Sequence, residues 1–224
     1  MFKSLLACTL AVVFAAPAAA QTANRGDHRY RMTLVRAAPG RLLDLIESVK
    51  TRTAGSGAFL FRHSQGDQWD LLVLVPDGAA AASSRTELAD PALVSWRQDE
   101  TVVGPDLAAR PGFAEAGLYH FEMFVALPGK RADLLREREM ENVYLAEVGR
   151  PVNAIFVREF GAEWDSFTIG AYKSWTHFAE RDRIPPEQAV AAARKAGFES
   201  DGHIGAYMRS LIALHHDTLT TPVR

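Results

Sequence analysis

The sequence predicts an α+β fold built from two copies of one small β-α-β-β-α-β unit. Two blocks recur in the same order along the 224-residue chain. Residues 30–46 align without a gap with residues 119–135, and in each block a strand-like pattern ends in Pro-Gly before a helical pattern begins. A Gly-x-x-Trp-Asp block then recurs at residues 66–70 and 161–165. Blocks that recur in one order predict a duplicated structural unit.

Residue periodicity predicts the elements of each unit. In the first unit, we expect strands at residues 30–36, 58–62, 68–75 and 101–103, a helix at 41–50, and a second helix that starts near residue 79. In the second unit, we expect strands at residues 119–125, 154–158, 163–169 and 218–220, and helices at 131–148, 187–196 and 203–215. A weaker third match, of residues 100–105 with 217–222, places the last strand of each unit. This order of elements is ferredoxin-like.

The strand patterns also predict how the two units are arranged. Residues 71–75 and 154–157 are apolar at consecutive positions, which is typical of strands that are buried on both faces. A ferredoxin-like sheet carries its helices on one face, and two bare faces laid together hide each other. We therefore expect the units to pair face to face as an intramolecular α+β barrel. Two separated domains, each with a buried hairpin, are the alternative.

The N-terminus has the features of a secretory signal peptide. Lys3 precedes a short apolar run, and three alanines at residues 18–20 form a cleavage site. Cleavage near Ala20 removes Cys8, the only cysteine, and leaves 24 basic and 27 acidic side chains. We expect the mature protein in the periplasm or outside the cell. Its expected divisions are a linker at 21–27, the first unit at 28–105, a linker at 106–116, and the second unit at 117–224 with a helical insert at about 180–202.

Charge and hydropathy argue against two classes of partner. The formal net charge is −2, and no basic cluster predicts nucleic-acid binding. Outside the signal peptide, no stretch approaches the ~20 apolar residues that a membrane-spanning helix needs. The charged run at residues 136–141 is interpreted as a solvent-exposed helix face. A small-molecule ligand and assembly into a homo-oligomer both stay open.

The repeated pattern resembles the dimeric α+β barrel superfamily, in which two ferredoxin-like units pair face to face. The opening Tyr-x-apolar pattern with Pro-Gly-Arg/Lys before a helix, at residues 30–41 and 119–130, is most similar to the NIPSNAP-type branch. The resemblance covers nearly the whole mature chain. It implies the barrel fold and a set of activities: haem-degrading and quinone-forming monooxygenases, muconolactone-type isomerases, haem peroxidases, chlorite-decomposing enzymes, and members without known activity. Fold likeness does not choose among them.

His120 and Glu122 are the strongest candidates for catalytic residues. They lie two positions apart on one strand, so their side chains share a face at a separation of about 7 Å. A carboxylate beside an imidazole is a workable acid–base pair. Because a helix-covered face is expected to be dry, we predict that this polar face lines the barrel lumen. The alternative is a sheet edge with both side chains in solvent.

Four further residues are candidates for ligand binding. Arg158 and His63 follow the middle strands of the two units, where either could hold an anionic ligand at the mouth of a pocket. The alternative for both is a solvated strand end. Tyr172 and His177 precede the long insert of the second unit, which is a candidate lid.

We predict no metal site and no resident cofactor, with haem as the alternative. The cluster at residues 215–217, His-His-Asp, ends the predicted last helix, where adjacent side chains point about 100° apart and cannot easily hold one ion. Haem-degrading members of the superfamily use an Asn, a Trp and a His around the haem. Asn153, Trp175 and His177 are present here, but the spacing of the Trp departs from that pattern.

Together these patterns predict an exported α+β barrel that binds a small, mostly apolar ligand between the sheet and the outer helices of the second unit. His120, Glu122 and Arg158 are its expected polar contacts. A cofactor-independent oxygenase or isomerase is the nearest enzyme class that the resemblance implies. The alternatives are a non-catalytic, partner-binding protein with a filled barrel and a haem-binding or haem-degrading protein.

Overall fold

The structure, a computed structural model, is a closed barrel of eight antiparallel strands with helices on its outer surface. It describes residues 25–78, 88–161 and 163–224. The expected signal peptide and the helix expected to start near residue 79 lie outside these ranges. Within them, no helix is both long enough and apolar enough to cross a bilayer.

Eight strands form the barrel wall: β1 (His28–Ala37), β2 (Phe59–Gln65), β3 (Leu71–Pro76), β4 (Val94–Gly104), β5 (Leu118–Ala126), β6 (Ala154–Phe160), β7 (Ser166–Tyr172) and β8 (Ile212–Pro222). The N-terminal half contributes neighbours in the order β4-β1-β3-β2, and the C-terminal half contributes β8-β5-β7-β6. Pairing of β2 with β8 and of β4 with β6 joins the halves and closes the barrel. The predicted α+β barrel is therefore confirmed, and the alternative of two separated domains is wrong.

Five α-helices are described: α1 (Leu42–Thr53), α2 (Arg131–Glu147), α3 (Trp175–Ala179), α4 (Pro186–Ala196) and α5 (Asp201–Arg209). Short 3-10 helices lie at Pro91–Leu93 and Glu180–Arg183. α1 buries Leu45, Ile46 and Val49, as its helical spacing predicts. In the C-terminal half, α2 packs against α4 and α5, so several helices together cover that sheet.

Alternation along β5 sorts its side chains between the lumen and the outer face. Tyr119, Phe121 and Met123 belong to the apolar cluster that fills the lumen, together with residues from both halves of the chain. His120 and Glu122 therefore face the helices, and the expectation that they line the lumen is wrong. A helix-covered face is expected to be tightly packed and dry, but a cavity lies between this sheet and its helices.

The repeated Gly-x-x-Trp-Asp block serves the architecture of both hairpins. Both of its tryptophans are buried in the lumen cluster. Asp70 Oδ2 accepts a hydrogen bond from the Ala37 N–H at 2.8 Å, and Asp165 Oδ2 accepts one from the Ala126 N–H at 2.9 Å. Each aspartate thus fixes the end of the first strand of its half against the return strand of the hairpin.

The C-terminal region departs from the prediction. α5 ends at Arg209 and β8 begins at Ile212, so the predicted helix at 203–215 is wrong from residue 210 onwards. The apolar run at residues 211–214 fits either period, and the long-range pairing of β8 with β5 decides in favour of a strand. His215 and Asp217 consequently share one face of the sheet, and His216 points to the other.

Candidate functional site

A cavity of about 850 Å³ lies between the sheet of the C-terminal half and the helices that cover it. Strands β5, β7 and β8 contribute its floor, and α2, α3 and α5 contribute its walls. Its volume is within the range of sites that bind small molecules. The position agrees with the sequence-based expectation of a ligand between the sheet and the outer helices of the second unit.

Four ionisable side chains form a polar floor: His120 and Glu122 from β5, and His215 and Asp217 from β8. In the antiparallel pairing of these strands, Glu122 lies opposite Asp217, so all four side chains project from one face. His120 Nε2 lies 3.0 Å from Asp217 Oδ1. His215 Nε2 lies 3.5 Å from the same oxygen and 3.7 Å from Glu122 Oε1.

Neighbouring groups hold two of these side chains in place. Glu122 Oε2 accepts a hydrogen bond from Thr168 Oγ1 at 3.1 Å and faces Arg138 Nη1 at 3.5 Å. Its other oxygen, Oε1, is thereby directed towards His215. The ring of His215 is stacked on Phe124, with 5.0 Å between the ring centroids and 5° between the planes. The floor is therefore pre-oriented by its own surroundings.

A buried ionic cluster on α2 adjoins the floor. Arg138 is 2% exposed in its side chain, and its Nε and Nη2 donate to the two carboxylate oxygens of Glu137 at 2.6 and 2.8 Å. Its Nη1 lies 2.8 Å from Glu141 Oε2. Together with Glu122, three carboxylates thus surround one guanidinium. The interpretation of this charged run as a solvent face is wrong for Glu137 and Arg138, because charges that are paired with one another can be buried, whereas Arg136 is exposed.

The electrostatics of the floor follow from burial and from this crowding of charge. Burial alone would lower the pKa of His120, but the hydrogen bond with Asp217 and the nearby carboxylates outweigh it and raise the pKa. Burial would raise the pKa of Glu122, but the contact with the His215 imidazole and the charge of Arg138 prevail and lower the pKa to about 2. Burial raises the pKa of Glu141 to about 7, because its ion pair with Arg138 offsets only part of the cost. At neutral pH, Glu122 is therefore a carboxylate that accepts hydrogen bonds.

The remaining walls differ in character from the floor. An apolar wall is formed mainly by aromatic and aliphatic side chains, namely Leu145, Tyr172, Phe178, Ile184, Ile204 and Met208. Three arginines also line the cavity, namely Arg150, Arg181 and Arg209. The guanidinium of Arg150 lies over the ring of Tyr172, 5.4 Å from its centroid, and donates to the carbonyls of residues 177 and 178. The cavity thus has a polar floor and walls in which apolar and cationic side chains are mixed.

Two of the predicted ligand-binding residues lie away from this cavity. The guanidinium of Arg158 donates to the Trp164 carbonyl at 2.6 Å and to Asp165 Oδ1 at 2.9 Å, which makes it a hairpin brace. His63 lies on β2 in the other half, where its ring contacts Trp69. Neither residue lines the cavity, because each follows its strand towards a hairpin turn.

The other two predicted residues, Tyr172 and His177, lie close to each other where two cavities adjoin. Tyr172 lines the cavity described above and also a second one, of about 820 Å³, at the segment that connects the two halves. His177 lines only the second cavity, where its Nδ1 accepts a hydrogen bond from the Lys173 N–H at 3.1 Å. Their ring centroids are 5.8 Å apart. Tyr172 therefore belongs to the first cavity, and His177 does not.

The residues that the haem-degrading pattern requires do not assemble into one pocket. Asn153 lines the first cavity and His177 the second. Trp175 lines neither, and 46% of its surface is exposed. The set therefore does not fit a shared haem environment of that type.

Sequence patterns indicated no role for Arg138 and Glu141, and the predicted last helix argued against a site at His215 and Asp217. The spacing of His215 and Asp217, two positions apart and followed by Thr-x-Thr, is a strand signal, but the apolar run before it also fits a helix. The residues of α2 gave no such signal, since a run of mixed charge is usually solvated. Only the structure shows that part of this run, Glu137 and Arg138, is buried.

Comparison with known proteins places the fold. No protein-family model matches the sequence, and no curated protein is significantly similar to it. Among solved structures, the chain is similar to an anthrone oxidase-like protein, with a TM-score of 0.61 and 12% identity over 90% of this chain and 94% of that one. It is also similar to a candidate monooxygenase from Lactobacillus acidophilus, with a TM-score of 0.55 and 8% identity over 89% and 95% of the two chains. A candidate monooxygenase from Fusobacterium nucleatum has a TM-score of 0.52 and 10% identity over 89% and 94%. At these identities the likeness shows the α+β barrel fold alone.

Proposed function

We propose that this protein is exported and binds a small molecule with an apolar body and one polar end in the cavity of its C-terminal half. The observation that carries the proposal is the position of His120 and Glu122 on the polar floor of an 850 Å³ cavity whose walls include aromatic and aliphatic side chains. Such a division orients a ligand, because only one of its ends matches the floor. The ligand would lay its rings or chains against Tyr172 and Phe178.

The second part of the proposal is a reaction class, an oxygenase or an isomerase. Its support is the donor set of the floor and the names of the fold neighbours, of which one is anthrone oxidase-like and two are candidate monooxygenases. The repeated Tyr…Pro-Gly pattern supports membership of the NIPSNAP-type branch. Export rests on the signal-peptide pattern at residues 1–20. Assembly into a homo-oligomer is compatible with these features.

Anthrone, a three-ring ketone, is the probe that tests both parts. Its oxidation converts the methylene carbon into a carbonyl. Two C–H bonds are broken, one oxygen atom of O₂ becomes the new carbonyl oxygen, and the other leaves as water with the two hydrogens. We expect the purified protein to bind anthrone, measured by fluorescence quenching, and to accelerate its conversion to anthraquinone above the rate in buffer. Oxygen uptake and product absorbance report the second step.

Variants of the floor make the test specific. We expect His120→Ala to weaken binding by about 10-fold or more, which corresponds to one charge-assisted hydrogen bond from the imidazole to the anthrone carbonyl. Glu122 can accept a proton but cannot donate one to this carbonyl, so we expect Glu122→Gln to slow turnover rather than to weaken binding. His216→Ala is the matched control, because this histidine lies on the opposite face of β8, against Trp164 and Asp67. Equal anthrone affinity in the wild type and His120→Ala would overturn the assignment of the cavity. Binding without turnover would refute the reaction class and leave a binding protein.

One observation favours a second candidate function, that of a non-catalytic, partner-binding protein. The lumen is filled by apolar side chains, as that alternative expects. A wild-type protein that binds neither anthrone nor any other cavity ligand, and that purifies without absorbance in the Soret region of haem, would favour it.

A further inference from the structure

The polar floor has the donor atoms of a metal centre. A nitrogen of His215 and carboxylate oxygens of Glu122 and Asp217 lie within 4.8 Å of one another. Imidazole nitrogen and carboxylate oxygen are the ligands that Zn²⁺ and related divalent ions take in catalytic sites, where three protein groups leave one position open. At the end of the predicted helix at 203–215, these side chains would have pointed in different directions and could not easily have held one ion. On β8, His215 and Asp217 instead share one face.

Two of the distances within the cluster are close to those between ligand atoms of one metal ion. His215 Nε2 is 3.5 Å from Asp217 Oδ1 and 3.7 Å from Glu122 Oε1, which is long for hydrogen bonds. Metal–ligand bonds of about 2.1 Å in a tetrahedron place ligand atoms roughly 3.4 Å apart. Among the described residues, the buried Nε2 of His215 has no hydrogen-bond partner. A cation between the three groups would satisfy it.

Further acidic side chains lie beside the floor. The carboxyl groups of Glu122, Glu137 and Glu141 surround the single guanidinium of Arg138. Asp217 adds a fourth at the edge of the cavity, where 56% of its side chain is exposed. Buried charge is costly unless it is compensated, and a divalent ion compensates two carboxylates at once.

The ligands are also supported from outside, as in established metal centres. Thr168 and Arg138 hold Glu122 Oε2, which leaves Oε1 for the ion. Phe124 fixes the plane of the His215 ring. His120 Nε2 lies 3.0 Å from Asp217 Oδ1 and so supports this carboxylate. Outer groups of this kind orient ligands and raise metal affinity.

We propose that Glu122, His215 and Asp217 bind one divalent first-row transition-metal ion of the Zn²⁺ type, with its open position facing the cavity. The proposal goes beyond the binding function above and needs no organic ligand, since it rests on the floor alone. An ion at this place would hold and polarise an oxygen of the bound molecule. It would also replace the expectation of chemistry without a cofactor.

Cobalt(II) is the probe, because its visible d–d absorption reports the coordination number and the ligand type. Purified protein is stripped with a chelator and titrated with Co²⁺ alone, and then with Zn²⁺ in competition. We expect one Co²⁺ per chain, displaced by Zn²⁺, with a spectrum of four- or five-coordinate geometry. A wild-type protein that shows only the spectrum of hydrated Co²⁺ overturns the proposal.

The variants separate ligands from neighbours. We expect His215→Ala and Asp217→Ala to abolish the Co²⁺ spectrum, and His120→Ala to weaken Co²⁺ affinity by about 10–100-fold, as loss of an outer partner does. His216→Ala, the adjacent histidine on the opposite face, should bind Co²⁺ like the wild type. Equal loss in His215→Ala and His216→Ala, or retention in His215→Ala, refutes the assignment. Circular dichroism confirms that each variant is folded, and Asp217→Asn repeats the test with an isosteric side chain. Since anthrone is absent, failure here leaves the proposed ligand binding standing.

Discussion

Replacement of Glu100 by glutamine is expected to change how the stability of the barrel depends on pH. Glu100 lies on β4 on the lumen side of the wall and is only 3% exposed. Its Oε1 accepts a hydrogen bond from Gln98 Nε2 at 2.7 Å. Burial raises its pKa from the usual 4.5 to about 7, although Gln98 and the charge of Arg158 oppose the shift and Glu163 adds slightly to it.

The sign and the size of the effect follow from linkage. A carboxyl group whose pKa is higher in the folded state binds its proton more tightly there, so folding is favoured while the proton is present. This contribution is complete below about pH 4.5 and is lost as the pH rises to about 7. At 1.36 kcal/mol for each pKa unit, its upper size is about 3 kcal/mol, and most of it is lost between about pH 5 and pH 8.

Glutamine keeps the shape and the hydrogen-bonding capacity of the protonated acid and does not titrate. We therefore expect the free energy of unfolding of Glu100→Gln, relative to the wild type, to increase by about 2–3 kcal/mol between pH 5 and pH 8. Urea titrations at several pH values measure this difference, and the titration of all other groups cancels in it. Glu47→Gln, an exposed residue of α1, is the control for loss of one charge.

A difference that stays constant across this pH range would refute the reasoning, because it would mean that Glu100 titrates alike in the folded and unfolded chain. A difference of the opposite sign would mean that Arg158 dominates over burial. Only the second outcome would place Glu100 among the ion-paired acids.

Two further substitutions test the packing of the barrel. Phe121→Ala removes a side chain with 0% exposure from the filled lumen, and we expect a loss of about 3–5 kcal/mol in the free energy of unfolding, measured with urea; a loss below 1 kcal/mol would contradict the filled lumen. Gly66→Ala should cost more than about 1 kcal/mol, because φ is +119° and the new Cβ would overlap the Asp217 carbonyl. Gly40→Ala, with φ +75° and open space around its Cβ, is the matched control, and equal losses would contradict the steric argument.

Sequence patterns predicted the fold well because the barrel is specified by local signals. Consecutive apolar residues in β3 and β6 indicated strands buried on both faces. In the structure, one face of each strand borders the lumen and the other face is covered by the outer elements. Recurrence of the Trp-Asp pair in both units predicts a structural role for it, and the hydrogen bonds of Asp70 and Asp165 to the ends of β1 and β5 agree with that role.

The site was predictable only in part. Alternation placed His120 and Glu122 on one face, but which face is the functional one depends on how closely the helices approach the sheet, and no local pattern encodes that distance. The period of residues 211–214 is ambiguous, so the decision between helix and strand came from pairing with β5. Burial of Arg138 likewise depends on carboxylates from two elements, of which Glu122 is 16 positions away in the sequence.

The two-sided use of β5 has a consequence for how this protein can change. Residues that hold the barrel together and residues that line the cavity alternate along the same nine positions, Leu118–Ala126. Substitutions on the outer face can therefore alter what the cavity accepts while the lumen, and with it the stability of the fold, is left untouched. Insertion or deletion of a single residue has the opposite effect, since it exchanges the two sets and would bury His120 and Glu122 among aromatic rings. Along this strand, point substitutions can change ligand specificity, whereas a change in length would disrupt both the lumen and the cavity.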